Sequence, residues 1–208
     1  MTASKPTRDS DWRDGFLFLG NQLALDFLNT RPVENGVPTE LLPDFPALVR
    51  WFEAAGLLSH AEGAVLEKKW QNSKRARDTV EALRAFRDKL RQRVLHWSHG
   101  GALDRSTVAE LNRLMARHPI HMQLLLSGND YRARMSFHPR EPEDLFAPLL
   151  QSIADLFTTA DRNRVRKCDH CVLLFHDTSK KGTRRWCSMQ LCGNRLKVAT
   201  YAARKRRQ

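Results

Sequence analysis

Cys168, Cys171, Cys187 and Cys192 are the only cysteines of this 208-residue chain. They stand as two close pairs, C-x2-C and C-x4-C, separated by fifteen residues. Thiol pairs at this spacing match a structural zinc site. Zn2+ takes four thiolates in a tetrahedron at about 2.3 Å, so each tight turn supplies two ligands and two turns close the shell. A closed shell of four thiolates implies one structural ion with no open position for a catalytic water. Two disulfides or four unrelated thiols are the alternatives, and disulfides need an oxidising compartment. Residues 1–14 are polar and lack the apolar stretch of a secretion signal, which favours zinc. Closing such a site contributes roughly 10–16 kcal/mol of folding free energy.

The residues around the thiols predict what holds them. Val172-Leu173-Leu174-Phe175 is a short apolar run of β type, Ser179-Lys180-Lys181-Gly182 reads as a turn, and Arg184-Arg185-Trp186 leads back to Cys187, together a hairpin. Ser188 is an N-cap candidate for a helix over Met189–Arg204. A knuckle, a hairpin and a helix carrying the last ligand near its start make the treble-clef layout.

The charge is as localised as the thiols. The chain carries a formal +12, yet residues 162–208 hold 14 Lys/Arg against 2 Asp/Glu, and residues 1–161 hold 21 of each. Excess positive charge on one small module is the electrostatic footprint of a nucleic-acid binder. Candidate phosphate contacts are Lys180, Lys181, Arg184, Arg185, Lys197, Arg204, Lys205, Arg206 and Arg207. Asn194 and Arg195 are candidates for reading bases, or for bracing the metal loop beside Cys192. No apolar run approaches the ~18 residues of a membrane span.

The run Arg184-Arg185-Trp186-Cys187-Ser188-Met189, followed by Cys192-Gly193-Asn194-Arg195 and Lys197, resembles the CGNR zinc-finger family of bacterial proteins. Phe175-His176-Asp177-Thr178-Ser179 resembles that family's aromatic-x-Asp-x-Ser element. Gly20 to Thr30 resembles the start of the ABATE domain that precedes this finger in the family. The resemblance implies a transcription regulator, proposed in some members to be stress-induced, located in the cytoplasm at the nucleoid.

The expected fold class is therefore α+β. Residues 1–161 form a mostly helical ABATE-like domain with a small antiparallel β element, and residues 162–208 a treble-clef finger with a basic C-terminal helix. Leu23–Leu28 fits either a hairpin or a helix start, and 31–43 reads as loop. Asp44, the pair Ser59 and Glu62, Ser73 and Ser106 mark helix starts, and Gly56 and Gly100-Gly101 mark stops. The arginines of the long helix, Arg84, Arg87, Arg91 and Arg93, are expected on a solvated face balanced by Asp78, Glu81 and Asp88. His121–Leu126 and Tyr131–Phe137 predict a β-hairpin with one buried face, and a last helix runs from Pro142 to about Ala160.

No Gly-rich phosphate loop, G-x-S-x-G or H-E-x-x-H motif is present, and no nucleophile and base pair can be named. His96 and His99 share a helix face without a third ligand. Asp26, Asn29 and Thr30 are candidates for lining a ligand pocket, or for local turn and cap bonds. The expectation is thus not an enzyme but a DNA-binding regulator. Its larger domain would sense a small-molecule effector or form a homodimer, and its finger would dock on double-stranded DNA. An RNA- or ribosome-associated zinc protein is the alternative.

Overall fold

The computed structural model describes residues 11–34 and 36–193. Strands β1 (Trp12–Arg13) and β2 (Phe16–Leu17) pair antiparallel and lead to Gly20. Only glycine fits there, because a Cβ would stand 2.7 Å from Leu25 Cβ and 2.9 Å from Asp26 N. Leu23–Leu28 resolves as helix α1. The segment expected as loop contains one tight ladder, β3 (Val33–Glu34) with β4 (Val37–Pro38).

Helix α2 (Phe45–Ala54) starts where Asp44 Oδ1 accepts the Ala47 N–H at 2.9 Å, and it ends at Gly56, whose φ of +74° disfavours a side chain. Helix α3 (His60–Trp70) carries the Ser59–Glu62 capping box, and α4 (Lys74–Ser98) is capped by Ser73. Helix α5 (Arg105–Arg117) is capped by Asp104 rather than Ser106. The Asp104 carboxylate accepts the Thr107 N–H at 2.6 Å and the Ser106 hydroxyl at 2.6 Å, and a negative group is favoured at a helix N-terminus. A 3-10 turn at Pro142–Leu145 feeds helix α6 (Phe146–Thr158), placing Pro148 in the first turn, where no helical N–H is needed. No helix among the described residues is long and apolar enough to cross a membrane.

The main core lies between α1, α2, α4 and α6. Trp51 is its centre: the ring is fully buried, stacked on Phe18 at 5.8 Å and edge-on to Phe27 and Phe52 at 5.9 and 5.1 Å. Truncating such a residue to alanine costs about 3–5 kcal/mol.

The arginine face of α4 is not solvated. Arg87 is 1% exposed and grips Glu40 with two bonds of 2.8 and 2.6 Å, adding one of 3.0 Å to Thr30 Oγ1. Arg84 donates to the Leu42 carbonyl at 2.7 Å, Arg93 pairs with Glu110 at 2.8 Å, and Arg91 donates to the Val172 carbonyl. These side chains tie α4 to the 31–43 segment, to α5 and to the cysteine-bearing segment.

Strands β5 (His121–Ser127) and β6 (Asp130–Ser136) form the expected hairpin, turning at Gly128-Asn129. Its register puts Met122, Leu124, Leu126, Tyr131, Ala133 and Met135 on one side. That side was expected to be buried. It is exposed instead, because no third strand or helix of the described chain covers it beyond the hairpin root.

Strand β8 (Leu174–His176) pairs antiparallel with β7 (Val165–Lys167), not with the Arg184–Trp186 segment the sequence suggested. Val165 and Leu174 belong to the main core, while Leu17 and Leu19 join Cys168, Leu173, Phe175, Cys187 and Cys192 in a second apolar cluster. The cysteine module and the helical part therefore exchange core residues.

Candidate metal centre

The first cysteine pair sits on a knuckle. The Cys168 N–H donates to the Leu173 carbonyl at 2.9 Å, folding Asp169–Val172 into a tight loop that returns Cys171 beside Cys168. The second pair straddles the start of a helical turn. Ser188 Oγ accepts the Gln190 N–H at 3.1 Å and the Leu191 N–H at 3.4 Å, and Met189–Gly193 forms one turn of π-helix that carries Cys192. The Ser188 hydroxyl itself donates to Asp11. The remainder of the expected helix, with Asn194, Arg195, Lys197, Arg204, Lys205, Arg206 and Arg207, lies outside the described residues.

The two pairs converge. All four Sγ atoms lie within 4.8 Å of one another, with Cys171–Cys187 and Cys187–Cys192 at 3.7 Å. A tetrahedron with Zn–S bonds of about 2.3 Å has edges of about 3.8 Å, so the sulfurs fit a single Zn2+. All four are free thiols, and three are buried. When bound, Zn2+ supplies a closed four-coordinate joint. Without a cation the sulfurs share charge unequally. Hydrogen bonds from the Cys171 and Cys187 thiols hold Cys168 well below the usual thiol range. The bond to Cys168 pushes Cys171 and Cys187 up, and burial pushes Cys192 up to about 12. Four thiolates cannot coexist in this space unless a cation neutralises them.

Asp177 holds the loop between the pairs. Its buried carboxylate accepts the Ser179 N–H at 2.9 Å and the Arg184 N–H at 2.8 Å. Burial alone would raise its pKa, but bonds from Ser179 and Arg184, with Arg166 nearby, outweigh that and keep it below the usual carboxylate range. The outside of the loop is gripped by two arginines. Arg164 donates to the Asp177 and Ser179 carbonyls at 3.2 and 2.8 Å, and Arg166 to the Gly182 carbonyl at 2.8 Å. Lys180 and Lys181 stand exposed at this braced tip, without an ion-pair partner among the described residues. Arg185 is exposed, pairs with Asp169 at 2.7 Å and covers the Trp186 ring at 5.4 Å. Arg184 is half-buried, with its Nε donating to the Trp186 carbonyl at 2.7 Å and its guanidinium 4.8 Å over Phe175.

Asp26, Asn29 and Thr30 lie together at the seam between the helical part and the cysteine module, and their polar atoms are bonded to the chain. Asp26 Oδ1 accepts the Gly20 N–H at 2.7 Å, and the Gly20 carbonyl accepts the His176 N–H at 2.8 Å. Asn29 bonds the backbone of Leu174, and Thr30 Oγ1 donates to the Phe27 carbonyl at 2.7 Å while accepting from Arg87. Leu17, Leu19, Arg91, Arg164 and Arg166 also build the site, and the cysteine spacing gave no hint of them. Arg87, four residues beyond Leu83 on the apolar stripe of α4, was a signal for a buried partner, but that partner is Glu40 and none of these five.

Residues 21–160 match the model of the ABATE family, whose description is "putative stress-induced transcription regulator", and residues 164–205 match the CGNR zinc finger. Neither is an enzyme family. No curated protein matches the chain. Since the first match alone spans more than half of the sequence, the chain belongs to the ABATE family and bears a CGNR zinc finger over residues 164–205.

Proposed function

We propose that this chain is a DNA-binding transcription regulator of the bacterial cytoplasm, acting at the nucleoid. The zinc-held finger contacts double-stranded DNA, and the larger domain, residues 1–161, senses a small-molecule effector or mediates association. The observation that carries the reading is the confinement of the whole charge excess to residues 162–208, with Lys180 and Lys181 held out on a loop that Asp177, Arg164 and Arg166 make rigid. A preorganised cationic tip loses little freedom on meeting a phosphate backbone. Arg185 extends that surface. Asn194, Arg195, Lys197 and Arg204–Arg207, outside the described residues, would add to its polar and charged groups.

A salt-titrated gel shift with zinc-loaded protein tests this. Six phosphate contacts on duplex DNA give a log–log slope of about −5. Replacing Lys180 and Lys181 together with alanine should lower the magnitude of the slope by about 2. Competition with structured RNA at equal nucleotide concentration separates the two polymers. Absence of duplex binding at low salt, or displacement by RNA but not by DNA, would remove the proposal.

A further inference from the structure

We propose that a second copy of this chain covers the apolar face of the β5–β6 hairpin, forming a two-fold dimer. This deepens the association role proposed above for the larger domain, and it does not depend on nucleic acid.

Met122 is 63% exposed, Leu124 71%, Leu126 72% and Tyr131 70%, all on one side of the ladder. A two-stranded hairpin with seven-residue strands is marginal in water unless its apolar face meets another layer. The described chain supplies that layer only at the hairpin root, where Met122 and Met135 face α6 across an open hollow of about 670 Å3, lined on one part by Leu23, Ile120 and Pro148 and on another by Gln151, Ser152 and Asp155. The same side of the molecule therefore offers a projecting apolar tip and, beside it, a hollow with an apolar part. Two copies related by a two-fold axis can each lay a tip against the other's hollow, a closed arrangement that leaves neither patch over.

Charge permits a copy of the same cationic chain to meet this face. The chain is formally +12, so self-association must avoid opposing cations. The strand face itself holds no Lys, Arg, Asp or Glu, Arg132 and Arg134 stand on the opposite side of the ladder, and the charge that lines the hollow is an anion, Asp155. Area agrees with this. At roughly 150–200 Å2 per large apolar side chain, four such residues at two-thirds exposure offer roughly 400–500 Å2. The lining of the hollow adds a little to this, which gives a two-fold contact at the small end of the range for specific association.

Sedimentation of the zinc-loaded chain without nucleic acid, over a dilution series, tests the inference. The expected mass is twice the 24.0 kDa of one chain. The pair Leu124→Glu with Leu126→Glu should weaken the dimer about a hundredfold or more, while Gln123→Glu, on the opposite side of the same strand, should leave it intact. Amide exchange read on unmodified protein gives an independent measure: residues 121–136 should be slower to exchange in concentrated than in dilute samples. A 24.0 kDa species at every concentration overturns the inference, as does a dimer indifferent to the glutamates or one whose protection maps elsewhere. A monomer that still shifts DNA would remove this interface and leave the proposed DNA binding standing.

Discussion

The side-chain amide of Asn29 occupies the place of a third strand beside Leu174. Its Oδ1 accepts the Leu174 N–H at 2.8 Å and its Nδ2 donates to the Leu174 carbonyl at 2.8 Å, with both residues fully buried. One side chain of the helical part thus satisfies the free edge of β8, three residues past the knuckle that holds the metal. Replacing Asn29 with alanine leaves a buried N–H and a buried carbonyl without partners, at about 1–3 kcal/mol each. Asn29→Ala should lower the stability of zinc-loaded protein by roughly 2–6 kcal/mol in urea titrations and speed zinc loss to a chelator. Unchanged zinc release would show that the seam does not brace the metal site.

Arg87 and Glu40 make a second long-range tie, and it should behave asymmetrically. Burial would raise the Glu40 pKa, but the Arg87 bonds, with the Leu42 N–H, outweigh it and keep the carboxyl low, so the pair is ionised. Glu40→Ala leaves a guanidinium that is 1% exposed with Asp88, at 3.1 Å, as its remaining carboxylate, and should cost about 3 kcal/mol. The double change Arg87→Met with Glu40→Leu removes both charges and should recover most of that loss. If the double variant is no better than Glu40→Ala in chemical denaturation, the pair's charge is not what matters there.

What the sequence disclosed was local. Asp44 and Ala47, Ser59 and Glu62, and Ser73 and Ala76 lie three residues apart, as do the first two metal-site cysteines, so backbone geometry alone brings each pair together. Alternation in Tyr131–Met135 identified the apolar face but could not say what covers it. The β7 strand is three residues long, too short for a periodic signal, and its pairing with β8 depends on the knuckle between them. Arg87 looked solvated because its partner, Glu40, lies 47 positions away. Asn29 looked like a pocket or cap residue because the strand it completes comes 145 residues later.

Asp26 should give stability a pH dependence opposite to that of a salt-bridged acid. Burial raises its pKa to about 7, against bonds from the Gly20 and Leu19 N–H groups and the charge of Arg13. Unfolded, it titrates near 3.9. Between these values the folded chain holds a proton that the unfolded chain does not, so Asp26's contribution falls as pH rises from about 4 to about 7 and is level above. About three pKa units correspond to at most about 4 kcal/mol. Asp26→Asn should remove this slope, seen as a smaller difference between urea midpoints at about pH 5 and about pH 8. An equal slope in both proteins would place the titration elsewhere.

Zinc uptake should expel protons in a number set by the thiols' crowding. In the metal-free cluster, bonds from the neighbouring thiols favour the ionised form of Cys168, and bonding to Cys168 and burial favour the protonated forms of Cys171, Cys187 and Cys192. Zn2+ needs all four as thiolates, so binding near neutral pH should release about three protons and affinity should fall about a thousandfold per pH unit of acidification. Calorimetry in buffers of different ionisation heat counts the protons directly. Four well-separated thiols of ordinary pKa would release about four, so a count of three distinguishes a preassembled cluster from one gathered by the metal. Leu17 and Leu19 wall the same cluster, so the metal's stabilisation should reach the helical part. Chelation should then lower the melting temperature of the whole chain in a single transition, and a finger that melts alone with the rest unaffected would contradict the shared core.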